Sequence, residues 1–103
     1  MVEKVVWTQT AYTQKLEIFE YWNLRNDSTN FSQSLESNIN SAIDLLKKFP
    51  RLGIKTQLKD VRVKIIKSYL LIYKVTKDTL YILLFWDSRQ NPKDLERLLA
   101  LYQ

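Results

Sequence analysis

Histidine and cysteine are both absent from this 103-residue chain. The first absence removes the commonest general base and the commonest neutral metal ligand. The second excludes a disulfide staple, a thiolate metal site and a thiol nucleophile. Any chemistry must therefore rest on carboxylates, Lys, Arg or Tyr, or on electrostatic stabilisation alone, and neither a metal nor a cofactor is expected. Gly occurs once and Pro twice, which leaves little material for flexible linkers. No stretch approaches the roughly twenty apolar residues of a membrane span, and the longest apolar run, Leu80 to Trp86, has the length of a strand. Nothing at the start, Met1-Val2-Glu3-Lys4-Val5-Val6-Trp7, reads as a secretory signal. These features predict a cytoplasmic protein with no membrane partner, built as a single domain over residues 1–103.

Charge of one sign is scarce in one half only. Residues 1–50 carry five Lys/Arg against six Asp/Glu, whereas residues 51–103 carry eleven against five. The excess of +6 falls where the strands are expected. A basic surface on a small sheet is an electrostatic footprint for phosphate or for an acidic partner.

Lys4 to Trp7 is short, β-branched and aromatic, as a strand requires. Thr8 is placed to cap a helix from Gln9 to about Arg25, whose Ala11, Leu16, Ile18, Phe19, Tyr21 and Trp22 give a broad apolar face. Asn26-Asp27-Ser28 breaks the pattern, and Ser28 or Asp27 can cap a second helix, predicted from about Thr29 to Phe49. Its stripe of Phe31, Leu35, Ile39, Ile43, Leu46 and Phe49 recurs every three or four residues. Pro50 ends it, Gly53 marks a turn, and Arg51 to Asp60 is a basic connector. Three strands come next, from Val61 to Ile65, Tyr69 to Val75 and Thr79 to Trp86, joined by tight turns at Lys67-Ser68 and Lys77-Asp78. Pro92 opens a closing helix with Leu95, Leu98, Leu99 and Tyr102 on one side.

The predicted class is α+β in the order β-α-α-β-β-β-α: a helix hairpin packed on a mostly antiparallel four-stranded sheet, with a C-terminal helix. Strict alternation puts Val61, Val63 and Ile65 on one side of their strand and Arg62 and Lys64 on the other. The apolar side is the expected seat of the hairpin, which leaves Arg62 and Lys64 on the far face. A two-residue turn at Lys67-Ser68 brings Tyr69 and Tyr73 to the Arg62/Lys64 face. A three-residue turn brings Leu70, Ile72 and Lys74 instead, because one residue of slip reverses the whole set. The place of the first strand in the sheet stays open.

The pattern resembles the RelE/ParE superfamily of bacterial toxins from type II toxin–antitoxin modules. The likeness spans the chain: Val5-Val6-Trp7-Thr8 with Ala11 and Leu16; Leu45-Leu46, Phe49-Pro50 and Gly53; Val61-Arg62-Val63 leading into Tyr69-Leu70-Leu71-Ile72-Tyr73; and Ile82-Leu83 followed by Trp86-Asp87-Ser88-Arg89-Gln90-Asn91-Pro92. It implies a compact toxin silenced by a cognate antitoxin encoded beside it. One branch cleaves mRNA on the ribosome with a basic sheet face. The other poisons DNA gyrase. Arg62 and Lys64 match two basic positions of the ribonuclease branch, and Arg89 matches the basic residue after the last strand. Leu70 stands where many ribonucleases carry Arg.

The resemblance makes Arg62, Lys64 and Arg89 the candidate catalytic set, with ribosome-dependent mRNA cleavage as the first expectation, and gyrase inhibition by protein binding or a degenerate member that only binds its antitoxin as the alternatives. Fixed cations at a developing phosphorane charge are often the largest catalytic term. The same residues also suit the solvent face of an amphipathic strand and a polar loop. Arg51, Lys55 and Lys59 are candidate RNA-binding residues, able to follow a backbone as point charges. Tyr69, Tyr73 and Trp86 can stack on bases or fill a core. A positive groove also speeds capture of an acidic antitoxin segment that folds on binding. Tyr21 and Leu24 on the first helix are candidates for that contact.

Overall fold

A computed structural model describes residues 2–102. The elements agree closely with the sequence signals. Strand β1 covers Lys4–Trp7, helix α1 Gln9–Asn26, α2 Asn30–Lys48, β2 Ile54–Lys55, β3 Val61–Ile66, β4 Tyr69–Thr76, β5 Thr79–Asp87 and α3 Pro92–Ala100. Thr8 caps α1: its Oγ1 accepts from the Ala11 amide at 3.0 Å and donates to the Leu83 carbonyl at 2.8 Å. The same side chain thus ends a strand, starts a helix and ties both to β5. Asn91 caps α3 through its side chain, which accepts from the Lys93 amide, with Pro92 in the first turn.

The sheet has five strands in the order β1-β5-β4-β3-β2. Four were expected, and the extra one is the two-residue β2, paired antiparallel with β3 inside the basic connector. Two residues are too few to show any alternation in sequence. The open question about β1 is resolved at the sheet edge, where it runs parallel to β5 with Val6 opposite Tyr81. The remaining pairs are antiparallel.

Both tight turns have two residues, and Lys67 and Lys77 each take positive φ there. The β3–β4 turn fixes the register at Ile66 opposite Tyr69, so Arg62 lies opposite Tyr73 and Lys64 opposite Leu71. Of the two registers open in sequence, this is the one that puts Tyr69 and Tyr73 on the Arg62/Lys64 face.

The helix hairpin then sits on the face opposite to the one expected. Its core joins Leu35, Ile39, Ile43 and Leu46 of α2 and Ala11 of α1 to Ile66, Tyr69, Leu71, Tyr73, Leu80, Ile82 and Phe85 of the sheet. Val61, Val63, Ile72, Leu84 and Trp86 face the other way and are covered by Leu95, Leu98 and Leu99 of α3. Arg62 and Lys64 therefore share the hairpin side and do not look out from a helix-free face. The physical reason is volume. Tyr69, Leu71, Tyr73, Leu80, Ile82 and Phe85 are at most 1% exposed beneath the two long helices, whereas the nine-residue α3 covers the face that carries Val61 and Val63.

Phe49 departs from its predicted role. It is the residue that ends α2, with positions 47 and 48 before it, and it is 58% exposed. Tyr69, Tyr73 and Trp86 are buried core residues.

Candidate functional site

Two concave regions lie at opposite ends of the sheet. The first, of about 440 Å³, is formed by the middle of α1 and the end of β5. Gln14, Glu17, Tyr21 and Trp22 come from the helix, and Asp87 and Arg89 from the strand end and its loop. Its floor is aromatic. The Trp22 indole N–H donates to the Tyr69 hydroxyl at 2.7 Å, and Tyr69 stacks on Phe85 with centroids 5.3 Å apart. The Gln14 side-chain carbonyl accepts from the Phe85 amide at 2.9 Å. The sequence hid this wall because Gln14 is a polar residue on the buried Ala11–Ile18 face. That mismatch was the available signal.

Arg89 does not present a free cation here. Its Nε and Nη2 both donate to the Asp87 carboxylate, at 2.9 and 2.8 Å, and the guanidinium lies 5.8 Å from the centre of the Trp22 ring. Hydrogen bonding to Arg89 holds the Asp87 carboxyl below the ordinary carboxylate range, against a smaller opposing effect of burial. The same pairing raises the Arg89 guanidinium further above its ordinary value.

The second cleft, of about 730 Å³, opens between the connector and the start of β3. It gathers Arg51, Lys55, Lys59 and Arg62, and adds Lys77 from the β4–β5 turn. All three candidate RNA-binding residues are thus brought together with one of the catalytic candidates. Lys77 was missed because its turn is distant in sequence from the connector, and the strand order places the two beside each other. Arg62 is engaged by the backbone: its Nη1 donates to the Arg51 carbonyl at 3.1 Å and to the Gly53 carbonyl at 2.9 Å. Beside it the buried Tyr73 hydroxyl donates to the Pro50 carbonyl at 2.7 Å and accepts from the Gly53 amide at 2.9 Å. Burial raises the Tyr73 phenol above its ordinary value, outweighing the Gly53 hydrogen bond and the Arg62 charge. Gly53 is required by close approach. A Cβ there would lie 2.7 Å from Tyr73 Cε1 and 2.9 Å from Cζ, and would also run into the hydroxyl.

The catalytic candidates do not converge. Arg62 lies opposite Tyr73, whereas Arg89 comes just after Asp87, which lies opposite Tyr69. Four residues along a strand and two strand spacings put the Cα positions of Arg62 and Asp87 on the order of 16 Å apart. Lys64 lines neither cleft and is half-buried on the hairpin side. Among the described residues no three His, Cys, Asp or Glu gather as a metal would need, and no helix is long and apolar enough to cross a membrane.

No curated protein sequence matches the chain. Among solved structures, a chain of the chromosomal ParDE toxin–antitoxin system from P. aeruginosa is similar in fold. It superposes with a TM-score of 0.63 at 13% identity, covering 84% of this chain and 96% of that one. The family model for the ParE toxin of the type II toxin–antitoxin system, parDE, matches residues 5–92, from the first strand to the start of the last helix. The chain belongs to the ParE toxin family.

Proposed function

We propose that this chain, the toxin half of a type II module, acts by binding a protein target, DNA gyrase, and does not cleave RNA. The observation that carries this reading is the separation of Arg62 from Arg89, together with the closure of Arg89 by Asp87. Cleavage by a 2′-hydroxyl needs a base and several cations around one phosphate. Here Arg62 stands at one end of the sheet, with one guanidinium nitrogen on two carbonyls, and Arg89 stands at the other, closed by a carboxylate. The chain has no histidine to take the proton. Leu70 occupies the position where the ribonuclease branch often carries Arg, and it packs with the α3 core.

The partner in the resting state is an antitoxin. Tyr21 and Leu24 on the outer side of α1 are 54% and 75% exposed, which supports their use as apolar anchors for a folding-on-binding segment. The excess positive charge of residues 51–103 favours rapid capture of an acidic one.

Two assays on the purified chain test the mechanism. It is expected to block gyrase supercoiling while leaving mRNA intact in a reconstituted translation reaction. Site-specific mRNA cleavage that disappears in Lys64→Ala/Arg89→Ala, with supercoiling untouched, overturns the proposal in favour of a ribonuclease. Arg62 is left unaltered in this test because its loss also releases the connector.

A further inference from the structure

We infer that the cleft between the connector and β3 is a binding site for the phosphodiester backbone of a nucleic acid. The inference is independent of the gyrase reading, since it concerns what this surface of the chain binds by itself.

The first argument is charge without compensation. Arg51, Lys55, Lys59, Arg62 and Lys77 line the cleft, and the one acid on its wall is Asp60. Among the described residues the ion pairs are Lys15–Glu36, Arg89–Asp87 and Arg97–Asp94, so none of the five cleft cations is neutralised. Of the nine Lys/Arg in residues 51–103 outside these ion pairs, five thus share this cleft, while Arg89 is closed by its own carboxylate.

The second argument is the pairing. Lys55 lies directly opposite Arg62 across the β2–β3 ladder. Like charges at such a position destabilise a sheet. Nothing acidic lies opposite to relieve them, and a bound anion would. Arg62 is also held in place before any ligand arrives. Its two carbonyl bonds use Nη1 and leave Nε and Nη2 without protein partners among the described residues. A guanidinium fixed in this way offers donors at little entropic cost.

The third argument selects the ligand. An acidic protein segment would need apolar anchors in a desolvated pocket, and Lys is depleted from such interfaces. Here Arg51, Lys55 and Lys59 are exposed, as suits point charges that displace counterions from phosphates. Thr56 and Gln57 in the lining are polar, and its apolar members Pro50, Leu58, Val61, Tyr73 and Val75 are buried or half-buried, so none stands out as an exposed anchor. The shared chemistry is a row of phosphodiesters, from either duplex DNA or single-stranded RNA.

Fluorescence anisotropy of the purified chain with short labelled duplex DNA, RNA of the same length and poly-glutamate provides the test. Five phosphate contacts predict that affinity for the duplex falls about 500-fold between about 50 and 200 mM salt, with a shallower fall for single strands. Lys55→Ala/Lys59→Ala removes two contacts and reduces the duplex figure to about 40-fold. Both side chains are exposed, so the variant is expected to keep the parent circular dichroism spectrum. Duplex and RNA arms that both respond establish the backbone as ligand, and the arm that binds tighter at matched salt identifies the source. Absence of salt-dependent binding to either nucleic acid overturns the inference. So does a salt slope unchanged in the double variant, or binding of poly-glutamate alone.

Discussion

Tyr73→Phe isolates the device that holds the basic connector to the sheet. Phenylalanine keeps the buried ring and its packing and removes only the hydroxyl. That hydroxyl serves two backbone groups, the Pro50 carbonyl at 2.7 Å and the buried Gly53 amide at 2.9 Å. The carbonyl is partly buried and water can replace its partner. The amide is left stranded. An unsatisfied buried donor costs about 1–3 kcal/mol, and the second bond contributes about 1 kcal/mol, so a loss of about 2–4 kcal/mol is expected. In a domain of this size each kcal/mol corresponds to about 4–8 °C in Tm. Thermal unfolding monitored by circular dichroism should therefore show Tm lowered by about 8–32 °C. The urea m-value should stay unchanged, because the folded surface is the same. The pH dependence gives a second readout. Burial raises the Tyr73 phenol in the folded state. Its contribution is fully present below the ordinary value of 10.0 and is lost as pH rises through the raised folded value. The alkaline loss of stability should accordingly be shallower in the variant. A Tm within about 2 °C of the parent, with the alkaline limb intact, would refute the reasoning and release the connector from this anchor.

Gly53→Ala should be at least as damaging as an overpacked core substitution, about 1–3 kcal/mol, since the added carbon meets the buried Tyr73 ring; an unchanged urea midpoint would show that the ring yields. Asp87→Asn removes the partner of Arg89. Hydrogen bonding to Arg89 lowers the Asp87 carboxyl, so its contribution is present above the ordinary value of 3.8 and fades as pH falls through the lowered folded value. Acid titration of stability should flatten in that window, and identical acid limbs would contradict the pairing. Lys15→Met tests the buried ammonium that lies 4.7 Å from the Trp7 ring centre, 5.3 Å from Tyr12 and 3.4 Å from the Glu36 carboxylate. A loss of about 1–2 kcal/mol is expected from the aromatic cage. In a double-mutant cycle the coupling to Glu36, whose side chain is 37% exposed, should stay below about 1 kcal/mol. Coupling well above that would make the carboxylate the main partner.

Local chemistry along the chain set the elements and their ends. The α2 stripe, the Thr8 cap, Pro92 and the two Lys-led turns act through near neighbours in the chain, and signals of that kind are readable from residue order. The charge asymmetry is equally a property of the sequence, and so is the absence of a histidine base. Tertiary structure decided the rest. Alternation at Val61–Ile65 shows that a strand has two sides and does not say which layer lies on either. The hairpin went to the tyrosine side because strands β4 and β5, apolar on both faces, let the larger aromatic set claim the larger layer. The pairing of Ile54–Lys55 with β3 likewise depends on residues brought from afar. Whether a cation is free or consumed depends on which carbonyl or carboxylate arrives beside it. That is why Arg62 and Arg89, read together in sequence, are engaged apart in space, while Arg51, Lys55, Lys59 and Lys77 face one cleft together.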